Sequence, residues 1–393
     1  RAPVGRSRGR GFVFFPLCSL LICWGMDCAT LLILNCDPMT SKSKVEFLKK
    51  LPSKDRLIEA LGFKPEKFLI VHDKRLAKND LVKKWLKDFQ LNYPVGGGES
   101  LKDLYAFAGH IKKIFKLVSP FSARSLCVVR LGGGSGGDFT GFLATVMKRG
   151  VPLTHIPATF LAAMDSAHGG KTALNVGDLK NQIGSFYPAD SILIVRSLFD
   201  ELPALQLQSA AGELAKMALL EGGDLYRRFR DEFKVDLESI WDLLPAVIEA
   251  KYKVVGLDRF ERTGERQVLN LGHSLGHALE SYYGLAHGVA VGQGLIFATQ
   301  WSQHQGYFKG PQAGEIVDIL TGKLSFLRPR DFARAHRAMS RPKLARYIAE
   351  DKKLTDTRHL NFIFLEAVGK PYRKVVTLES FLTETQRQGW TSV

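Results

Sequence analysis

Lys67-Phe68-Leu69-Ile70-Val71-His72-Asp73 is a short apolar run closed by an acid. A run of that length without alternation predicts a strand buried on both faces of a parallel sheet. Asp73 then falls at the carboxyl end of the strand, where open α/β sheets bind ligands. The residues before Val71 are short and helical in pattern. Tyr93 to Glu99 is turn-forming, and Leu101 to Phe115 carries apolar residues at helical spacing. Ser125 to Leu131 reads as a second strand. It leads into Gly132-Gly133-Gly134-Ser135-Gly136-Gly137-Asp138, after which a helix is predicted through Phe142 to Met147.

The second half changes character. Ser209 to Leu220 is a strong helix former. Ile248 to Val255 continues the helical pattern, and beyond Gln305 the chain is helical and basic, with a strand predicted over Leu360 to Leu365. In Leu269-Asn270-Leu271-Gly272-His273-Ser274-Leu275-Gly276-His277-Ala278-Leu279-Glu280, a helix places His273 and His277 on one face, one turn apart. There is no internal repeat or low-complexity tract.

The length of 393 residues suits two domains. The formal charge of +16 suits an anionic partner: nucleic acid, an acidic membrane or a phosphorylated substrate. The basic residues are not gathered in one run, and no nucleic-acid-binding motif is present, so nucleic acid is the weaker reading. Cys18, Cys23, Cys28 and Cys36 fall near the start and Cys127 is alone in the body. That is no disulfide framework, and it fits a reducing compartment. In residues 1–38, Arg6, Arg8 and Arg10 precede an apolar run from Gly11 to Gly25, as in a signal peptide. An ordinary soluble sequence opens at Met39, so residues 1–38 read as an extension outside the fold rather than an export signal. Removing them takes away four arginines and two aspartates, which leaves the body basic.

Five groups carry candidate chemistry. Gly132, Gly134 and Gly137 satisfy G-x-G-x-x-G between a strand and a helix, which would let backbone approach a pyrophosphate. A simple glycine turn reads equally well, and no ribose-binding acid follows at the usual distance, Asp165 being too far along. Lys171, Lys180 and Asn181 beside glycine turns form a phosphate clamp or a solvated loop. Glu213 and Lys216 share a helix face, as a surface ion pair or as part of a site. His273 and His277, with His287 further on, point to zinc when a carboxylate such as Glu213 is available, three protein ligands leaving one open position. Lys251 and Arg266 suit a substrate bearing carboxylate and phosphate.

Together these stretches resemble the 3-dehydroquinate synthases, sugar-phosphate cyclases, from about Val71 to Gly369. The resemblance rests on an ordered set: Gly98-Glu99 with Lys102, the triple glycine with Gly137-Asp138, Arg149-Gly150, Asp165 through Lys171-Thr172, Lys180-Asn181-Gln182-Ile183-Gly184 and Leu202-Pro203. It continues through Gly212-Glu213 with Lys216, Arg266, Leu269 to His273, His277, His287-Gly288 and Asp351-Lys352-Lys353. It implies an α/β N-terminal nucleotide-binding domain (39–195) followed by an all-α C-terminal metal-binding domain (196–393), with the active site between them. It also implies a homodimer in the cytoplasm, with no membrane contact for the body.

By matching position, the metal, zinc or cobalt, would be held by Glu213, His273 and His287, and His277 would face phosphate. NAD would be contacted by Asp73, Gly98, Glu99, Lys102, Gly134, Ser135, Gly136, Gly137, Asp138, Ala158, Thr159, Lys171, Lys180, Leu198 and Phe199. Catalytic positions would be Arg149, Asp165, Lys171, Asn181, Lys216, Lys251, Arg266, Asn270, His277 and Lys353. The implied reaction converts 3-deoxy-D-arabino-heptulosonate 7-phosphate to 3-dehydroquinate and phosphate, by transient oxidation with NAD, β-elimination, reduction and aldol closure. The chain departs from the family pattern at Ala158, His168, Glu201 and Val289, and in the loop before Arg266. Rival readings are another sugar-phosphate cyclase, a metal- and NAD-dependent polyol dehydrogenase, and a noncatalytic protein that kept the fold.

Overall fold

Six parallel strands form the central sheet, in the order β1-β8-β5-β4-β2-β3. The computed structural model describes residues 43–177, 179–350 and 358–392; residues 1–38 and Lys353, named above, lie outside them. The strands are β1 Lys44–Leu48, β2 Lys67–Asp73, β3 Leu91–Val95, β4 Leu126–Gly132, β5 Leu153–Pro157 and β8 Ser191–Val195. As the apolar runs require, β4 is buried throughout. Leu126 and Val128 face one core, while Cys127, Val129 and Leu131 face the other. Helices α1 Lys54–Leu61 and α2 Asp80–Leu86 cover the second face; α3 Leu104–Val118 and α4 Gly134–Val146 cover the first.

Two local expectations are corrected. The described residues open on a strand, ahead of the helix α1: β1 alternates Val45 and Phe47 toward the core with Glu46, which is buried but paired with Lys44 and Arg56. Five residues interrupted by a glutamate are too short a signal to read as a strand. The helix after the Gly96–Gly98 turn starts later than Leu101. Residues Glu99–Lys102 form a 3₁₀ turn, and Asp103 caps α3 by accepting from Ala106 N at 2.9 Å.

Lys171 to Phe186 is an antiparallel hairpin, β6 Lys171–Val176 and β7 Leu179–Phe186, laid beside α4. After β8 the architecture becomes helical: α5 Ala204–Glu221, α6 Gly223–Asp231, α7 Leu237–Leu257, α8 His273–Tyr283 and α9 His287–His304, then shorter helices. The strand foreseen at Leu360 is one arm of a hairpin, His359–Ala367 with Lys370–Thr377, packed on this helical part. Among the described residues no helix is long and apolar enough to cross a membrane.

Candidate active site

The strand order reverses between β2 and β4: the chain steps out from β2 to β3, then returns to place β4 on the other side of β2. Such a switch leaves a crevice at the carboxyl ends of the two strands. Asp73 closes β2 and the glycine turn closes β4. The N-cap of α4 is Gly133, which has no side chain to cap the N–H groups of the first turn. Asp73 accepts from Arg75 N (2.9 Å) and Nη2 (2.8 Å). Burial works against its charge, but the Arg75 bonds hold its pKa below the ordinary value.

Beside the turn, buried Lys102 donates to Asp138 Oδ2 (2.7 Å) and Asn181 Oδ1 (2.5 Å), tying the start of α4 to the hairpin. Burial pushes the Asp138 carboxyl up to about 6, against the pull of Lys102. Glu99 accepts from Ser135 Oγ (3.0 Å) and Asn175 Nδ2 (3.1 Å). Gly98 adopts positive φ (92°) just before this turn, and exposed Lys180 lies on the hairpin. Ala158 N donates to Gly132 O, and Thr159 Oγ1 accepts from Ala162 N. Leu198 is half-buried. Phe199 is buried against Phe160 at 4.6 Å between ring centroids, so its ring belongs to the core rather than to an open cofactor site.

On the helical side, α5, α8 and α9 bring three donors together. Ligand atoms of Glu213, His273 and His287 all lie within 4.8 Å of one another. Glu213 and Lys216 are both 2% exposed, which rules out the surface ion pair; Lys216 Nζ lies 2.6 Å from Glu213 Oε2. The other oxygen, Oε1, makes no hydrogen bond and lies 3.5 Å from His273 Nε2 and 3.2 Å from His287 Nε2. Each imidazole has its Nδ1 engaged: His273 with the Leu271 carbonyl (3.1 Å), His287 with the Glu280 carboxylate (2.7 Å). That tautomer directs Nε2 at the shared point, and an orphaned carboxylate oxygen between two such nitrogens fits a divalent cation. Burial alone would raise the Glu213 pKa, but Lys216 and His287 hold it well below the carboxylate range. Burial disfavours the His287 imidazolium, yet Glu213 and Glu280 raise its pKa to about 10.

A second set, His277, Glu280 and His287, also meets the distance criterion. It shares His287, whose Nδ1 is already bonded to the Glu280 carboxylate, and its members are only half-buried. The geometry therefore favours the first set for an ion, with Glu280 behind His287.

Between the two halves lies a cleft of about 610 Å³, lined among others by Asp138, Asp165, Lys171, Asn181, Lys216, Lys251, Arg266, Asn270 and His273. Lys251 Nζ is fixed by the carbonyl and the carboxylate of Asp165; Lys251 and Lys216 hold that carboxylate down at about 2 although burial opposes it. Arg266 donates to the carbonyls of Arg259 (3.1 Å) and Gly169 (3.4 Å). Gly169 has φ 83°, and a Cβ there would stand 2.5 Å from Arg266 Nη2, so a side chain would push the guanidinium away. Arg149 is not among these groups: it is exposed beyond the C-terminal end of α4, the far end from the glycine turn.

Three participants escaped the sequence reading. Glu280 was legible as the residue three after His277, on its helix face. Glu261, paired with Lys171 across the cleft, carried no signal, since only folding joins the two. His168, noted only as a departure, bonds Tyr252 Oη (2.9 Å) and the Ala163 carbonyl (2.6 Å), bracing α7 against the Asp165 turn.

The 3-dehydroquinate synthase N-terminal family model matches residues 92–209 and the C-terminal one residues 210–354. The chain is 37% identical to the 3-dehydroquinate synthase of Pyrobaculum islandicum over 57% of this chain and 66% of that one, just under two thirds of its length. It is 31% identical to that of Dehalococcoides mccartyi over 76% of this chain and 81% of that one. Among solved structures, 2-deoxy-scyllo-inosose synthase, crystallised with carbaglucose-6-phosphate, NAD+ and Co2+, superposes with a TM-score of 0.74 at 22% identity, covering 88% of this chain and 97% of that one; at that identity the likeness speaks for the fold. Two consecutive family models and a relative aligned over most of its length agree: the chain belongs to the 3-dehydroquinate synthase family.

Proposed function

We propose that this protein is a 3-dehydroquinate synthase, converting 3-deoxy-D-arabino-heptulosonate 7-phosphate to 3-dehydroquinate and phosphate. The observation that carries the reading is the convergence of Glu213, His273 and His287 beside a cleft lined by Lys171, Lys216, Lys251 and Arg266, with the glycine turn of α4 in the facing half. Four cationic side chains in one cleft suit a substrate with a carboxylate and a phosphate.

Glu213, His273 and His287 would hold zinc or cobalt; Asp73, Gly98, Glu99, Lys102, Gly134, Ser135, Gly136, Gly137 and Asp138 would surround NAD. When bound, NAD supplies reversible hydride transfer and the metal supplies Lewis acidity at an oxygen. Lys102 fixes the start of α4 to the hairpin, so the walls of the cofactor and substrate sites move together. Lys171, Asn181, Arg266 and His277 hold the anionic groups of the substrate. Asp165 holds Lys251 in place in the cleft and offsets part of the burial that lowers the Lys251 pKa. As the C–O bond to phosphate breaks, the neighbouring C–H proton passes to the departing phosphate, held by these donors, and the C–H electron pair forms the new C=C bond. The division into residues 39–195 and 196–393, a cytoplasmic homodimer and Arg149 completing the neighbour's phosphate site belong to the same proposal.

The test is incubation of purified protein with the heptulosonate phosphate, NAD and zinc or cobalt. Phosphate and 3-dehydroquinate should form in equal amounts with no accumulation of NADH. Accumulating NADH without phosphate release would identify a polyol dehydrogenase; phosphate release with another carbocycle would identify a different cyclase.

A further inference from the structure

We propose that Arg130 is a buried counter-charge for the anion that the α4 turn binds, and so a positioning residue of the dinucleotide site. The inference rests on the cofactor reading above, taking that anion to be the dinucleotide pyrophosphate. Arg130 lies in β4 on the face where Leu126 and Val128 are core residues, and it is 2% exposed. Its guanidinium reaches under the glycine turn. A Cβ on Gly136 would stand 1.8 Å from Arg130 Nη2, and one on Gly132 2.3 Å from it. Gly132 and Gly136 therefore make room for a cation beneath the turn, whatever they do for a ligand above it.

That cation is poorly satisfied by the protein. Nη1 donates to the Val71 carbonyl at a long 3.4 Å, and Nε has no partner. Asp73, the carboxylate whose charge acts on Arg130, is held by Arg75. His155, buried nearby, is neutral at physiological pH, and Arg130 is one cause of that. Burial lowers the Arg130 pKa only to about 10, so the charge persists. A cavity of about 10 Å³, bounded by Arg130, Gly132, Gly133, Gly137 and Ser166, joins the guanidinium to the turn and has room for one water at most. The helix N-terminus adds a second positive feature at the same place. A buried guanidinium with one long hydrogen bond, stacked behind a helix N-terminus, is destabilising until an anion arrives.

The experiment compares wild type with Arg130→Met and Arg130→Lys by NAD calorimetry and by thermal unfolding without ligand. Arg130→Met should bind NAD about ten- to a hundred-fold more weakly, while adenosine, which has no phosphate, binds both proteins alike. Its ligand-free melting temperature should equal or exceed that of wild type, because an unpaired buried charge is gone; a merely structural arginine would lower it. Arg130→Lys, which keeps the charge, should bind NAD within a few-fold of wild type. Unchanged NAD affinity in folded Arg130→Met overturns the proposal. If the methionine variant does not fold, Arg130→Gln, neutral and able to keep the Val71 bond, serves for the same comparison. Should wild type bind no NAD, the cofactor reading fails by itself, and inorganic pyrophosphate becomes the probe. Pyrophosphate binding lost in the variant then upholds Arg130, and binding absent or unchanged overturns it.

Discussion

Gly212 and Gly288 meet backbone to backbone where α5 crosses α9: a Cβ on Gly212 would lie 1.9 Å from the Gly288 carbonyl oxygen. Their neighbours in sequence are Glu213 and His287, two of the three convergent donors. The close crossing thus sets the distance between the donors. Gly288→Ala should push the helices apart, since its Cβ would lie 1.7 Å from the Ser209 carbonyl oxygen. We expect a loss of about 1–3 kcal/mol in urea denaturation and reduced metal per subunit by elemental analysis. Gly256→Ala, in α7 with open space around it, is the control and should be neutral or slightly stabilising.

Lys216 is the partner that makes a buried Glu213 tolerable in the absence of metal. Lys216→Met should leave that carboxylate uncompensated and destabilise the metal-free protein by about 3–5 kcal/mol. A dication beside Glu213 would replace the lost charge, so added zinc should stabilise the variant more than wild type. Equal zinc-induced shifts in melting temperature would contradict this.

What could be read in the sequence follows from how each signal is carried. β2 and β4 were legible because both faces are buried and each carries a mostly apolar run of strand length. The hairpin β6–β7 was not: most of β7 is exposed, and its lysines, asparagine and glycine read as loop. Both histidines that face Glu213 were visible, but the helix face alone paired His273 with His277. The folded chain instead sets Glu213 between His273 and His287, an arrangement given in advance only by the family resemblance. Arg130 carries no signal of its own in the sequence; its meaning lies in Gly132 and Gly136, which only the turn geometry brings against it.

His155 and His168 make stability fall in mild acid. Burial, aided by Arg130, lowers the His155 pKa to about 4; burial, aided by Lys251, lowers that of His168 to about 3. Both values lie below the ordinary 6.5 of the unfolded chain. Below that pH the unfolded state binds more protons than the folded state, so stability is full above about pH 6.5 and is lost as pH falls toward the folded values. His168→Gln, which can still donate to the Ala163 carbonyl, should flatten the stability profile between about pH 6.5 and 4. Urea denaturation at several pH values measures the slope, and an unchanged slope would mean that His168 is not held neutral.

The last prediction separates the histidines. Two donor sets share His287: Glu213 with His273, and His277 with Glu280. In the first, both Nδ1 atoms are engaged elsewhere and both Nε2 atoms point at an orphaned carboxylate oxygen. In the second, the Glu280 carboxylate is already engaged by His287 Nδ1 at 2.7 Å, and all three members are only half-buried. The first set should therefore bind the metal, with His277 left for substrate phosphate. Losing one of three protein ligands should strip the ion, whereas losing a phosphate contact should slow turnover and leave the ion in place. His273→Ala and His287→Ala should purify with little metal, and His277→Ala with nearly a full complement but poor activity. Glu280→Gln can still accept from His287 Nδ1 but brings no charge, so metal affinity should fall about 10- to 100-fold, the usual effect of a lost second-layer partner. Elemental analysis and competition with a chelator on folded protein give the answer. Metal lost from His277→Ala but kept by His273→Ala would place the ion in the second set and overturn the ligand assignment.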